Sequence, residues 1–143
     1  MNNIFNNKFL CVPFCVWLAI QIMKFITDWI VNKKPNFKRL VGAGGMPSSH
    51  SAVVATLTTL IGQEYGVESG IFAMSCVFSA IVMYDAAGVR RAAGKQASLL
   101  NKIVETPGLS SVQVQERLVE VLGHTPLQVL VGAIIGIVVG LLV

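Results

Sequence analysis

Residues 126–143 read PLQVLVGAIIGIVVGLLV and carry no charged side chain. At about 1.5 Å of rise per residue this stretch makes a helix of roughly 27 Å, close to the thickness of a bilayer's hydrocarbon core. Three further apolar stretches precede it: Phe9 to Val31, about Ser48 to Gly62, and about Gly70 to Gly88. The first contains Lys24 and Asp28, one helical turn apart and able to pair on one face. No A-x-A-like site follows it and its apolar run exceeds that of a signal peptide, so a retained helix is expected. The composition agrees. Of 143 residues, 54% are hydrophobic and 13% charged, about half the charge of an average soluble domain. A soluble fold this small cannot hide so much apolar side chain. Disorder, a disulfide scaffold and an ordinary cytosolic domain are excluded. The expected fold is a single membrane-embedded domain over residues 1–143: an all-α integral membrane helical bundle with about four transmembrane helices plus one or two short cytoplasmic-side helices.

Charge sorts by connection. Nine of the eleven Lys and Arg residues lie between the first and second spans (Lys33, Lys34, Lys38, Arg39) or between the third and fourth (Arg90, Arg91, Lys95, Lys102, Arg117). The positive-inside rule then places both connections in the cytoplasm and both termini outside. The net charge of +4 follows from this topology and from contact with the lipid bilayer. Nucleic acid as a partner would need a soluble basic surface with a recognition element, and none is present. Cys11, Cys15 and Cys76 match no zinc spacing and read as buried apolar thiols. In the long third connection, Ala92 to Val104 reads as helix and Thr106-Pro107-Gly108 breaks it. Ser110 or Ser111 then caps a further helix through Leu122, with Val112, Leu118, Val119 and Leu122 as an apolar stripe.

Polar residues at membrane boundaries are costly unless they serve a purpose, and here they gather in three places, each at the cytoplasmic end of a span. The first is Gly42-Ala43-Gly44-Gly45-Met46-Pro47-Ser48-Ser49-His50-Ser51-Ala52. A Gly-rich turn running into a Ser-capped helix presents free N–H groups and the positive end of the dipole, which suits phosphate. His50, in the first turn, can exchange a proton beside a bound anion. The bland alternative is a loop and cap that happens to contain a His. The second is Tyr84-Asp85-Ala86-Ala87-Gly88-Val89-Arg90-Arg91-Ala92-Ala93-Gly94-Lys95-Gln96. On a continuous helix, Asp85, Gly88 and Ala92 share one face and Arg91 and Lys95 an adjacent one. Arginines beside an Asp can form a planar clamp for phosphate oxygens. A stop signal with Asp85 paired to an Arg explains the charge but not an Asp within the end of an apolar span. The third is Gly123-His124-Thr125-Pro126-Leu127-Gln128, where Thr125 reads as N-cap, Pro126 as first helical residue and Gln128 as its capping-box partner. Gly132, Gly136 and Gly140, spaced by four, form a seam for close helix packing. The chain has two histidines, each beside a helix start. If they converge with the phosphate turn and the Arg pair, they suit phosphoryl transfer, one His as nucleophile and the other as acid.

Gly45-Met46-Pro47-Ser48-Ser49-His50-Ser51-Ala52, Asp85-Ala86-Ala87-Gly88-Val89-Arg90-Arg91 with Gly94-Lys95-Gln96-Ala97, and Gly123-His124-Thr125-Pro126 with Gly132-Ala133 stand in this order along the chain. Together they resemble the divergent branch of the type 2 phosphatidic acid phosphatase superfamily, also described as acid phosphatase/vanadium-dependent haloperoxidase-related. The likeness runs from about Lys24 onward. It implies an all-α phosphatase needing no metal and no cofactor. His50 resembles the general acid, Gly45, Ser48 and Ser49 the phosphate cradle, and His124 the nucleophile. Gln128 falls where the superfamily's orienting Asp stands. Departures are plain. Ser49 replaces a Gly, and Leu118 stands where an Arg would precede His124, which leaves Arg90, Arg91 or Arg117 for that duty, with Lys95 as a further phosphate-binding residue. Lys24 and Lys34-Pro35 only echo the first motif. With about four spans where the superfamily has six helices, the resemblance leaves room for a homodimer through the Gly132/Gly136/Gly140 seam.

The reading is a membrane lipid-phosphate phosphatase with its site on the cytoplasmic face, acting through a phosphohistidine. Its substrate is a phosphorylated lipid such as phosphatidylglycerophosphate, phosphatidic acid or an isoprenoid phosphate or pyrophosphate. Asp85, Gln128 and Lys24 support the site. The alternatives are a lipid-phosphate binder or carrier without turnover, and a purely structural membrane protein.

Overall fold

The computed structural model describes residues 4–37, 44–105, 118 and 123–143. Among the described residues, a short 3-10 turn at Ile4–Asn6 is followed by five helices: α1 (Lys8–Asn32), α2 (Ser49–Tyr65), α3 (Gly70–Ala87), α4 (Val89–Glu105) and α5 (Pro126–Leu142). All four stretches expected to be spans are helical, each within about three residues of its sequence reading. Lys38 and Arg39 of the first basic connection, the Thr106-Pro107-Gly108 break, Arg117, and the helix expected from Ser110 or Ser111 to Leu122 lie outside the described residues, except for Leu118.

Burial is inverted relative to a soluble protein. The outer surface carries Ile22, Ile26, Met74, Val77, Phe78, Ile81, Leu130 and Ile134, whereas Gln21, Lys24, Ser48, Ser49, Ser51, Thr56, Ser75, Ser79 and His124 are buried. Hydrocarbon solvates the apolar exterior, and polar groups turn inward to find partners. The same logic corrects the expectation for the cysteines: Cys15 is exposed and Cys11 and Cys76 half-buried, all free, because an apolar thiol on a lipid-facing helix has no reason to hide. By length and composition α1, and α3 with its extension into α4, are long and apolar enough to cross a membrane. At 17 residues each, α2 and α5 stand at the lower bound of about 17–25 for a span.

The central helix is α2, packed on α1, α3 and α5. Its face toward α5 is built from small residues. A Cβ on Gly132 would strike the Ser48 carbonyl oxygen, one on Gly136 that of Ala52, and one on Gly140 the side chain of Thr59. The Thr56 hydroxyl donates to the Gly136 carbonyl at 3.1 Å. So the seam does what its spacing implies, but within one chain. In this chain α2 packs on that surface. Toward α3, the Thr58 and Ser79 hydroxyls lie 2.8 Å apart and Ser79 donates to the Val54 carbonyl at 3.2 Å. Toward α1, the far end is tied by Lys8 to Glu64 at 2.5 Å and by stacking of Phe9 on Tyr65.

Candidate functional site

At the other end of the bundle, four helix ends meet. Gly44 and Gly45 take positive φ, and the turn they make delivers Ser48 as N-cap of α2. The Ser48 side chain accepts from the Ser51 N–H at 3.3 Å and from the Ser51 hydroxyl at 3.0 Å. Ser48 therefore serves the cap. Its N–H donates to the Gln128 carbonyl at 3.0 Å, which fixes the start of α2 against the start of α5. By helix geometry the Ser49 and His50 N–H groups, at the first two positions, have no acceptor within the helix.

Thr125 caps α5 in a complete capping box: Gln128 N–H donates to the Thr125 hydroxyl, and Thr125 N–H donates to Gln128 Oε1 at 3.0 Å. The same Oε1 lies 3.3 Å from His124 Nδ1. Only the amide oxygen can accept from the Thr125 N–H, so the His124 proton belongs on Nδ1 and the lone pair on Nε2. Gln128 thus combines the cap expected of it with the orienting contact implied by the resemblance.

His124 itself is 2% exposed. Its N–H donates to the Ala86 carbonyl at 2.8 Å. Gly123, at φ 89°, presses on the backbone of Arg90 and Arg91, where any Cβ would collide. This seat depends on a break that the continuous-helix reading of residues 84–96 did not contain. Gly88 leaves helical geometry (φ −102°, ψ −85°) and separates α3 from α4. In an unbroken helix the Ala86 carbonyl would accept from Arg90 N–H; here His124 takes it. Gly88 and Gly123 were the visible signals, but neither names its partner.

The two imidazoles are neighbours, with ring centroids 6.2 Å apart and planes at 64°. His50 Nδ1 and His124 Nε2 are both buried without a hydrogen-bond partner among the described residues. The Gly45 backbone lies near enough to act on His124 electrostatically, though no bond of ordinary length closes on Nε2. Burial is the main cause that holds the His124 imidazole below its usual range; the Lys24 ammonium and His50 add to this, while Gln128 and the Gly45 backbone oppose it. His124 is therefore neutral at neutral pH.

Lys24 is buried and reaches the Ser49 hydroxyl at 3.5 Å. Arg90 pairs with Asp85 at 2.5 Å, an i to i+5 contact allowed by the break at Gly88. Arg90, Lys24 and Asp85 all act on His50. Arg91 and Lys95 are exposed on α4. Residues one apart on a helix point about 100° apart, so with Arg90 turned to Asp85 its neighbour turns away. Arg91 and Lys95, expected with Arg90 in a phosphate clamp, thus stand on another side of α4 from the Asp85 pair. The structure thus brings together His50, His124, Ser48, Ser49, Gly45, Gln128, Lys24, Asp85 and Arg90. Beside Lys24 a cavity of about 380 Å³ opens, lined by Thr27, Asp28 and Asn32 together with Val31, Gly45 and Met46. A larger cavity, about 500 Å³, is elsewhere: an apolar groove among α2, α3 and α5 lined by residues such as Ala55, Phe72, Met83 and Ile137.

A family model described as the divergent PAP2 family matches residues 5–139. The chain belongs to the divergent PAP2 family. It is 39% identical to an uncharacterized membrane protein, YuiD, of Bacillus subtilis (strain 168), over 85% of this chain and 84% of that one. No solved structure matches it. Membership accounts for the phosphatase-like ordering of the motifs and agrees with a membrane protein.

Proposed function

We propose that this member of the divergent PAP2 family is a lipid-phosphate phosphatase working through a phosphohistidine. The observation that carries the reading is His124: buried, neutral, held by Gln128 with its Nε2 lone pair unclaimed, and set beside a second imidazole. Lys24, Arg90 and the first N–H groups of α2 are placed to hold phosphate oxygens by charge and dipole. The Nε2 lone pair attacks phosphorus and the bond to the lipid oxygen breaks. His50 gives its proton to that oxygen. Water then attacks phosphorus and gives its proton to His50, the P–N bond breaks with its electron pair returning to Nε2, and inorganic phosphate leaves. An amphiphilic substrate fits a site at the end of the spans, and the apolar groove offers room for its hydrocarbon. The basic connections favour a cytoplasmic face under the positive-inside rule.

Proteoliposomes holding the full chain should release phosphate from phosphatidic acid, phosphatidylglycerophosphate or an isoprenoid phosphate without added metal. A folded His124→Ala variant should lose that release. Turnover at the wild-type rate in this variant removes His124 as nucleophile. The second reading, a binder without turnover, draws on Gln128, which is neutral where a carboxylate would raise the basicity of Nε2. Tight binding of lipid phosphate with no release from any of these substrates selects it.

A further inference from the structure

Outside the histidine site, α4 presents an arrangement that catalysis does not use. Placed at 100° per residue, its side chains fall into three stripes. Gly94, Ala97 and Asn101 form one, and all three are buried. Asn101 explains why: its amide donates to the Leu118 carbonyl at 2.9 Å and accepts from the Leu118 N–H at 3.1 Å, so this face is occupied by the chain itself. Arg91 and Lys95 form the second stripe, within an arc of about 40° that Lys102 shares. Val89, Leu99, Leu100 and Ile103 form the third, an arc of about 100°. They are 60, 60, 50 and 45% exposed.

Four large apolar side chains side by side on a surface helix call for a cover. Two features say what it is. The first is continuity: α3 exposes Val77, Phe78, Ile81 and Tyr84 up to its end, and the apolar arc of α4 begins at Val89, just past the break at Gly88. The second is charge. Residues 89–105 hold Arg90, Arg91, Lys95 and Lys102 against one acid, Glu105, and two exposed cations border the apolar arc. An amphipathic helix with cations flanking its apolar face is the signature of attachment to an anionic bilayer surface. We propose that α4 is a membrane-surface helix, with Leu99, Leu100 and Ile103 in the acyl boundary and Arg91 and Lys95 on anionic phospholipid headgroups. This assigns the two cations that the histidine site leaves out, and it stands whether or not the protein turns over a substrate.

Hydrogen exchange on the full chain in vesicles tests it, with phosphatidylcholine alone against phosphatidylcholine containing about one third phosphatidylglycerol. The amides of α4 should exchange about tenfold more slowly with the anionic lipid, as cations near such a surface imply, and high salt should remove the difference. Arg91→Gln with Lys95→Gln should abolish the dependence on lipid charge, and Leu99→Ser with Ile103→Ser should expose α4 in both membranes. Unchanged exchange in α2 and α5 shows that each variant is folded. If a variant fails this check, the wild-type comparison of lipids and salt still decides. Equal exchange of α4 in the two membranes overturns the proposal. So does protection that rises with protein density, which assigns the face to a second copy of the chain.

Discussion

Lys8 and Lys24 ride on the same helix, and both reach α2, one at each end. At the far end, Lys8 meets the Glu64 carboxylate at 2.5 Å with both side chains nearly half exposed. At the site end, Lys24 is 6% exposed and donates to a neutral hydroxyl. The first contact is a tether whose charges water screens. The second keeps an ammonium beside two imidazoles and an open helix start, where desolvation is costly. A bundle needing only to join α1 to α2 has the cheaper device in Lys8. Under the proposed function, Lys24 adds a phosphate oxygen to the partners it has within the bundle.

The largest expected effect separates the two lysines. Lys24→Met should weaken binding of phosphate about 10- to 100-fold, as loss of a charge-assisted hydrogen bond implies. It should also lower thermal stability in detergent, because the partners of the ammonium within the bundle are left without it. Isothermal titration and a melting curve read the two together, and unchanged affinity would place Lys24 on the structural side of the comparison.

The glycine seam allows a second contrast. Alanine inside a helix ordinarily gains about 0.5–1 kcal/mol over glycine. Gly132→Ala should instead cost about 1–3 kcal/mol, as overpacking does, because its Cβ meets rigid backbone at Ser48. Gly140→Ala should cost less, since it meets the Thr59 side chain. Equal melting temperatures for the two variants would show that the site end is no more tightly built than the far end.

Much of this was legible in residues 126–143 and their three companions, because a membrane leaves few options for uncharged runs of this length. The caps were legible too: Ser48, Thr125 and Gln128 do locally what their types do anywhere. The break at Gly88 was not. Residues 84–96 are acceptable helix throughout, and the break shows only where His124, distant in sequence, takes the Ala86 carbonyl. With a continuous helix assumed, nothing set Arg90 apart from Arg91 and Lys95. Lys24 was legible in part: spacing offered Asp28 as its partner, and packing also brings Ser49 within reach.

A third expectation concerns pH. His124 is held below the usual imidazole value of about 6.5, so the unfolded chain binds more protons than the folded one as pH falls past that value. Stability should be level at higher pH and decline below about 6.5, and release of phosphate should persist into mild acid before it falls. His124→Gln should flatten the stability profile. A wild-type profile already flat across this range would mean that His124 is not held neutral by burial.

The smallest effect belongs to the tether. Glu64→Gln should change stability by less than about 1 kcal/mol and leave phosphate binding unaltered. A larger loss would mean that the far end supports the site.

The central claim is that His124 carries the phosphoryl group. Rapid quench of full-length protein with a lipid phosphate radiolabelled in its phosphate, followed by peptide mapping, tests it most directly. Acid-labile, base-stable label on the peptide holding His124, absent from His124→Ala, is the predicted result. Phosphate release with no label on that peptide would contradict it.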